Sequence, residues 1–394
     1  MGTTLNLMLK RPSVDRQGND TKFLGAKMRQ RPSRRCCKAG RTRMTVNPTI
    51  HDVAKAAGVS IKTVSNVLND NPKVGQETRL RVRRLMDEMG YRPNLSARGL
   101  RSGKTGVIGL AVPSLRETYF AELADSVIRA AAKRGLRVVI EQTNGDRELE
   151  IATLSGGQMR FIDGLLFSPA AIGQQDVDVL TTTDPLVLLG ERIFGGPTDH
   201  VTMHNTASTR AAVQHLLDIG RTKIALIGAP EQPADEASSA NLRERGYRQA
   251  LENSGIGIDP LLVVRGGTWH RETGVAAIRR LRESNVEFDA VFALNDTLAL
   301  GALRALAQYG LQVPQDVAVM GFDNIDEGRF SLPSLTSVDP GRDEIAETAV
   351  ALLVNRIQEK DERAAPKTVK SGFRIVQRES TGFADEDGRT LLST

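Results

Sequence analysis

The chain has 394 residues, of which 40% are hydrophobic and 25% charged, proportions typical of a globular protein with two or three domains. It contains no apolar run of about 18 residues, the length that a membrane helix needs, and its first residues lack the apolar segment of a secretory signal. The two cysteines, Cys36 and Cys37, are adjacent, which argues against a disulfide framework and against a thiolate metal site. We therefore expect a cytoplasmic protein with no membrane partner, no bound metal and no cofactor.

The net charge of +6 conceals an uneven distribution along the chain. Residues 1–104 contain 23 lysines and arginines against 7 acidic residues, whereas the remaining residues contain 30 against 40. A basic N-terminal quarter indicates a polyanionic partner for that quarter, although a solubilising basic tail would carry the same charge. Residues 1–46 lack an apolar pattern, and we expect a basic disordered extension there. It either precedes the true start, since Met44 lies next to the first patterned segment, or acts as a DNA-binding arm.

Residues 47–92 are predicted to form three short helices around a small core. Thr49 can cap the first helix, with Asp52 completing a capping box. Gly58 suits the tight turn that follows, and Ser60 can cap the second helix. The third helix is expected from residue 76 to residue 89. The residues expected to face the core are Ile50, Val53, Ala54, Ala57, Val64, Leu68, Leu80, Val82, Met86 and Met89.

The first two predicted helices, eight residues each and joined by a glycine-containing turn, have the spacing of a helix-turn-helix. In this motif the second helix lies in the major groove of DNA and contacts base edges near its N-terminus. Ile61, Lys62, Ser65 and Asn66 are expected to face away from the apolar stripe of that helix. Lysine can donate to guanine, asparagine can pair with adenine, and isoleucine can contact a thymine methyl group. Any small helical hairpin shares the spacing, but the basic charge on the same segment favours DNA.

Residues 93–104 are predicted to be a linker that contains one short helix, Asn94–Arg101, between Pro93 and the Ser102-Gly103 pair. Gly99 disfavours an isolated helix by roughly 1 kcal/mol relative to alanine. We therefore expect this helix to fold only with DNA and a second subunit. An ordinary linker is the alternative.

From Gly106 onward, apolar strands alternate with amphipathic helices over about 280 residues, which exceeds one ordinary sheet and predicts an α/β body of two doubly wound lobes. The first lobe is expected at about 105–205 plus 336–370, the second at about 206–335 plus a final strand, and a polar tail at 382–394. The predicted strands are Val107–Val112, Arg137–Glu141, Gly164–Phe167, Leu186–Leu189, Lys223–Ile227, Leu261–Val264, Ala290–Leu294 and Val317–Gly321. The helices include Phe120–Lys133, Thr209–Ile219, Gly274–Arg282 and Thr297–Gln308.

Polar and aromatic residues follow several of these strands, where ligands bind in open α/β sheets. These candidate effector-binding residues are Tyr119, Phe120, Arg243, Trp269, Asn295 and Asp323. Carboxylate, amide and guanidinium groups around aromatic rings suit a polyhydroxylated ligand such as a sugar. Asp296 is expected to cap the next helix instead of contacting ligand, and Tyr119 or Phe120 could instead be core residues.

The run from Thr49 to Asn69 resembles the headpiece of the lac-repressor (LacI/GalR) family of bacterial transcription regulators, with its T-x-x-D-V-A-x-x-A-G-V-S-x-x-T-V-S-x-V-L-N pattern. The resemblance continues through Tyr91-Arg-Pro-Asn94 and Ala97-Arg-Gly-Leu100, and along the body to about residue 381. It implies an all-α helix-turn-helix headpiece, a hinge helix, and an effector-binding body with a type I periplasmic-binding-protein-like fold. The DNA-binding residues it implies are Thr49, Ser60, Ile61, Lys62, Thr63, Ser65, Asn66, Asn69, Tyr91, Asn94, Ala97, Arg98 and Leu100.

Within this resemblance, Ile61, Lys62 and Asn66 take the base-contacting positions, and Leu100 matches the leucine that wedges into the minor groove and bends DNA. Asn66 stands where family members often have arginine, which changes the preferred base. The resemblance also places effector contacts at Arg243, Trp269, Asn295 and Asp323.

Three departures from the family pattern leave the identity of the effector open. Asn241 replaces a common arginine, Glu117-Thr118 replaces Asn-Pro before the aromatic pair, and His204 replaces an aspartate.

The resemblance implies a homodimer that binds double-stranded operator DNA and a small sugar-like effector. The chain contains no phosphate-binding loop, nucleophile elbow or metal-ligand spacing, so an enzyme is disfavoured. A corepressor-dependent regulator with a non-sugar effector and an exported solute-binding protein are the alternatives. Whether the effector releases DNA or promotes binding stays open.

Overall fold

The computed structural model describes residues 48–68, 70–92, 104–155, 161–182, 184–231, 237–359, 364–384 and 390–391. The predicted basic extension, the hinge helix and most of the polar tail lie outside these residues, as do Asn69, Asn94, Ala97, Arg98 and Leu100. The chain divides into two compact units, Met1–Arg92 and Pro93–Thr394.

The described part of the first unit contains three helices. Thr49 and Asp52 form the expected reciprocal capping box at the start of the first helix, and Gly58 ends that helix with a positive φ of 62°. The Ser60 hydroxyl accepts a hydrogen bond from the Thr63 amide at 3.1 Å, as expected of a cap. The helices are α1 (Ile50–Ala57), α2 (Ile61–Leu68) and α3 (Gln76–Glu88).

The core of this unit differs from the prediction at two positions. Val67, which was not predicted to face the core, is fully buried beside Val64, and Leu68 is half-buried against the same core. Leu80, predicted to face the core, is 57% exposed, because Val82 and Met86 occupy the buried side of α3. A helical period leaves little room for Leu80 on that side, since it lies two residues before Val82.

The described part of the second unit contains two six-stranded sheets, which confirms the prediction of two lobes. The first sheet has the order β11-β5-β4-β3-β1-β2, and all its strand pairs are parallel. Its strands are β1 (Val107–Val112), β2 (Arg137–Gln142), β3 (Leu165–Phe167), β4 (Leu186–Leu189), β5 (Asp199–Thr202) and β11 (Thr368–Lys370). The helices α4 (Thr118–Ala132), α5 (Arg147–Leu154) and α10 (Arg342–Gln358) and the short 3₁₀ helix Gln174–Leu180 belong to this lobe.

The second sheet has the order β12-β10-β9-β8-β6-β7 and is parallel except for its edge strand β12. Its strands are β6 (Ile224–Ala229), β7 (Val263–Arg265), β8 (Ala290–Ala293), β9 (Ala318–Phe322), β10 (Thr336–Asp339) and β12 (Arg374–Val376). The helices of this lobe are α6 (Asn205–Asp218), α7 (Ser239–Asn253), α8 (Arg271–Glu283) and α9 (Asp296–Gln308). Short 3₁₀ helices lie at Pro260–Leu262, Asp326–Arg329 and Glu379–Thr381, and β13 (Phe383–Ala384) pairs with β14 (Thr390–Leu391).

In the part of the chain that the structure describes, the backbone passes between the two lobes three times: after β5, after β10 and after β11. The strand Thr336–Asp339 belongs to the second sheet, where it pairs with β9, and not to the first lobe, where we expected it. The strands β5 and β10 escaped the prediction because their sequences, DHVT and TSVD, are polar although most of their residues are buried. In these two strands, hydrogen bonds between side chains and the rest of the protein make burial of polar residues possible.

Two glycines allow α8 and α9 to cross at close range. A Cβ atom at Gly274 would overlap with the carbonyl oxygen of Leu298, and one at Gly301 would overlap with that of Arg271. In both cases the added Cβ atom would meet backbone atoms of the neighbouring helix, so a side-chain movement cannot relieve the clash.

We therefore expect Gly274→Ala to lower the free energy of unfolding of the second unit by about 1–3 kcal/mol through overpacking. The sign of this change in stability distinguishes overpacking from helix propensity, because propensity alone favours alanine over glycine in a helix by about 1 kcal/mol. Chemical denaturation would measure the change. Gly257→Ala is the matched control, since Gly257 is exposed and a Cβ there meets nothing within 4 Å. An unchanged midpoint for Gly274→Ala would contradict the close crossing.

Candidate nucleic-acid interface and effector cavity

The surface of α2 presents the predicted base-contacting residues to different degrees. Val64 and Val67 face the core, Lys62 is exposed, and Ser65 and Asn66 are partly exposed. Ile61 is half-buried and also packs against the core of the unit. The exposed side of α2 thus offers an ammonium, a hydroxyl and an amide group, the donors and acceptors used for contacts with base edges.

Several other predicted DNA-binding residues have structural roles within the unit. The Thr49 side chain takes part in the capping box of α1, and the hydroxyls of Ser60 and Thr63 lie 2.9 Å apart at the start of α2. Tyr91 is half-buried against the core, and its amide donates to the Met86 carbonyl at 2.8 Å. These contacts fix the ends of the helices. The exposed side of α2 is then the polar surface of the unit that remains for contacts with DNA.

A cavity of about 550 Å³ lies between the two lobes of the body. Its walls come from the carboxyl ends of strands in both sheets, as expected for open α/β sheets. All six predicted effector-binding residues line it. The other polar lining residues are Glu117, Ser168, Glu191, Arg192, Thr202, Ser238 and Ser239.

Arg243, on α7, is 2% exposed and occupies the inner wall of this cavity. Its Nε atom donates to Asn205 Oδ1 at 2.7 Å, and another guanidinium nitrogen donates to the Leu294 carbonyl. The guanidinium carbon lies 3.5 Å from the centre of the Phe322 ring and 5.3 Å from that of Trp269. A buried guanidinium requires this number of partners, since an unpaired buried charge is strongly unfavourable.

Asp323 follows β9 and lies opposite this guanidinium, with Oδ1 3.5 Å from a nitrogen of Arg243. Burial raises the pKa of its carboxyl group from an ordinary 3.8 to about 7, against the opposing effect of Arg243. Its φ of 105° is a conformation that residues with a side chain rarely adopt. Strained backbone and a perturbed carboxyl group at one residue are typical of a functional site.

The prediction that Asp296 caps the following helix is wrong. The cap of α9 is Asn295, whose Oδ1 accepts from the Leu298 amide at 2.8 Å. Asp296 is fully buried and accepts from the Ser337 hydroxyl at 2.6 Å and the Ile325 amide at 2.9 Å. It thereby fixes the turn after Asp323, while Asn295 both caps the helix and lines the cavity.

Three aromatic side chains form part of the cavity wall. Tyr119 and Phe120 pack edge to face, with ring centres 5.3 Å apart, and both also contact the core. The Trp269 indole nitrogen donates to the Gly228 carbonyl at 3.0 Å, which holds the ring in place. Tyr119 and Phe120 are therefore both lining residues of the cavity and part of the hydrophobic core, the two alternatives that the sequence left open.

Glu191, which follows β4 in the first lobe, was not among the binding residues predicted from the sequence. It is buried and accepts hydrogen bonds from the Thr202 hydroxyl at 3.1 Å and, across the cavity, from the Ser239 hydroxyl at 2.7 Å. Its place directly after a predicted strand was the available signal. Of the positions that depart from the family pattern, Glu117 lines the cavity, whereas Asn241 and His204 are not among its lining residues.

Among the described residues, no cluster of histidine, cysteine or acidic side chains is arranged to hold a metal ion. In the same part of the chain, no helix has both the length and the apolar character needed to cross a membrane.

Comparison with known proteins places both units in one family. Residues 49–94 match the family of bacterial regulatory proteins named for lacI, and residues 213–381 match a periplasmic binding protein-like domain. The ribose operon repressor of Escherichia coli is 33% identical over 311 residues, covering 78% of this chain and 93% of that protein.

Solved structures give the same result. A LacI-family transcriptional regulator from Sanguibacter keddieii is 47% identical, with a TM-score of 0.65, over 71% of this chain and 99% of that one. The lac repressor dimer bound to operator and the anti-inducer ONPF is 26% identical, with a TM-score of 0.72, over 85% of this chain and 99% of that one. The chain therefore belongs to the LacI family of DNA-binding transcriptional repressors, with a helix-turn-helix region and a periplasmic-binding-protein-like effector domain.

Proposed function

We propose that this repressor binds a near-palindromic operator as a homodimer and responds to a sugar-like effector in the cavity between its lobes. The observation that carries the proposal is the composition of that cavity. Asp323, Asn295 and Glu191 offer hydrogen-bond acceptors beside the rings of Trp269 and Phe120. This combination suits a ligand with hydroxyl groups on its rim and C–H groups on its faces. As a member of a family of regulators, the chain is not an enzyme.

Under this proposal the chain has four working parts. Residues 47–92 form the DNA-binding headpiece, 93–104 the hinge helix and linker, 105–381 the effector-binding and dimerisation domain, and 382–394 a polar tail. Lys62 and Asn66 contact bases in the major groove, with Ile61 beside them.

The two binding events are linked through the conformation of the body. An effector that prefers one arrangement of the lobes changes operator affinity by the same factor by which DNA changes effector affinity. Sequencing of the DNA fragments that the full chain retains, followed by titration of that operator with and without sugars, tests the proposal. A sugar that binds the cavity without changing operator affinity would contradict it.

Lys62→Ala and Asn66→Ala are each expected to weaken specific operator binding by about 1–3 kcal/mol and to relax base preference at one operator position. The reason is their placement on the exposed side of α2. Binding titrations on a set of operators with single base changes would measure both effects. Lys55→Ala, which removes an exposed lysine from α1, is the control and is expected to affect all sequences alike. If Lys62→Ala or Asn66→Ala did the same, that residue would be a phosphate contact.

Asp323→Asn is expected to weaken effector binding about ten- to hundredfold, because hydrogen bonds to a charged acceptor are worth about 1.5–3 kcal/mol each. Operator binding without effector should be unchanged, which gives a repressor that no longer responds. Asp178→Asn, at an exposed position of the first lobe, is the charge-matched control. A destabilised variant with normal effector affinity would show that Asp323 is structural.

Effector affinity of the natural protein is expected to rise with pH through about 7 and then level off. Asp323, with its pKa near 7, must be ionised to accept hydrogen bonds from two hydroxyl groups. The charged groups that act on it are Arg243, Arg342, Glu117 and Glu191, and it acts in turn on Asp296. Calorimetric titration between pH 5.5 and about 8.5 would measure this dependence, which Asp323→Asn should abolish. Affinity that falls with rising pH would mean that protonated Asp323 donates to the ligand.

A further inference from the structure

The cavity is lined by more acidic than basic side chains, and these side chains differ in how many of their hydrogen bonds are already made within the protein. Among the described lining residues there are three carboxylates, those of Glu117, Glu191 and Asp323, against the two guanidinium groups of Arg192 and Arg243. Both guanidinium groups already donate to backbone carbonyls, Arg192 to that of Ile172 at 3.3 Å and Arg243 to that of Leu294. Carboxylates therefore outnumber guanidinium groups among these residues, and both guanidinium groups already bond to the protein.

Among the carboxylates, Glu191 already accepts hydrogen bonds from Thr202, Met203 and Ser239. The Glu117 carboxylate differs. It precedes α4 without making a side-chain cap, and within the described part of the chain no hydrogen-bond donor pairs with it. It is nevertheless half-buried, and this burial raises the pKa of its carboxyl group above the ordinary value.

Glu117 and Asp323 line the same cavity from opposite lobes. Glu117 follows β1 of the first sheet, Asp323 follows β9 of the second, and Glu117 is one of the two carboxylates whose charge raises the pKa of Asp323. A phosphate or carboxylate group placed between them would be repelled by each of the two carboxyl groups that is ionised, whereas a hydroxyl or ammonium group would supply the missing donor.

We propose that Glu117 determines effector specificity: it accepts a hydrogen bond from a hydroxyl or amino group of the effector and excludes phosphorylated and carboxylated sugars. This inference rests on the proposed function, which it narrows to neutral or basic sugars. The alternative is that Glu117 serves only the positive end of the α4 helix dipole. That role would affect stability and not ligand choice.

The charge of the cavity can be tested without knowing the effector. Trp269 is the only tryptophan in the chain and lines the cavity, so the tryptophan fluorescence of the whole protein reports from this site. Relative to the quenching of free N-acetyltryptophanamide by each ion, we expect caesium ions to quench it more strongly than iodide ions, with neutral acrylamide as the reference for accessibility. Glu117→Gln should shift the ratio toward iodide.

Glu148→Gln is the matched control. Glu148 is exposed and lies in the first turn of a different helix, α5, so the substitution removes the same charge near a helix N-terminus away from the cavity. It should leave the quenching ratio unchanged. Iodide quenching equal to or stronger than caesium quenching in the natural protein, each relative to the free amide, or an unchanged ratio in Glu117→Gln, would overturn the proposal.

Specificity itself is tested by titrating the same fluorescence with a hexose, the corresponding hexosamine, its 6-phosphate and its uronic acid, each in several stereoisomers. We expect binding of neutral or amino sugars only, and an affinity about tenfold lower in Glu117→Gln for the sugar that binds best. Tighter binding of the phosphate or the uronic acid would overturn the inference.

The two proposals fail in different ways. If no sugar of any charge bound, the assignment of a sugar effector would fail, while the quenching ratio would still decide the role of Glu117. Thermal unfolding of both variants identifies the helix-dipole alternative, in which Glu117→Gln lowers the melting temperature and leaves ligand choice unchanged.

Discussion

The buried guanidinium group of Arg243 is the interaction on which the architecture of the cavity depends. It joins three segments that are far apart in the chain: the start of α6 through Asn205, the end of β8 through the Leu294 carbonyl, and the end of β9 through Asp323. Removal of a charge of this kind leaves its partners unpaired in the interior, which is far less favourable than loss of a surface ion pair. Because each partner also contributes to the cavity wall or lies beside it, the same interaction holds the wall in shape.

The parallel topology explains why so many polar groups meet here. In each lobe the strands present their carboxyl ends to one edge of the sheet, and both edges face the same cavity. Residues after β1, β4, β6, β8 and β9 therefore converge although more than 200 positions separate Glu117 from Asp323. The rigid strands position these residues, while the loops after them are free to vary in chemistry.

The features that sequence predicted best are those set by local patterns. The run Val107–Val112 forms a strand with the predicted bounds, and the capping box at Thr49 is present because it needs only residues three positions apart. Polar strands such as β5 could not be found, since burial of His200 and Asp199 depends on hydrogen bonds to distant residues. Asp296 was misassigned for the same reason: its partners Ile325 and Ser337 are about 30 and 40 positions away. Position after a strand located Asp323 and Asn295, but Glu191 and Ser239 meet only through the apposition of two lobes.

The three crossings between the lobes have a mechanical consequence. Residues 203–204, 340–341 and 371–373 join the sheets side by side, and parallel short connections of this kind resist twisting and sliding but permit bending about a single axis. Met203 belongs both to the first crossing and to the cavity wall, so a ligand would press close to the pivot. Farther out, the lobes meet through polar contacts such as Glu122 with the Asp326 amide and Thr118 with Glu327, which water can replace at little cost. A displacement of a fraction of an ångström at the pivot therefore produces a larger displacement at the far end of each lobe.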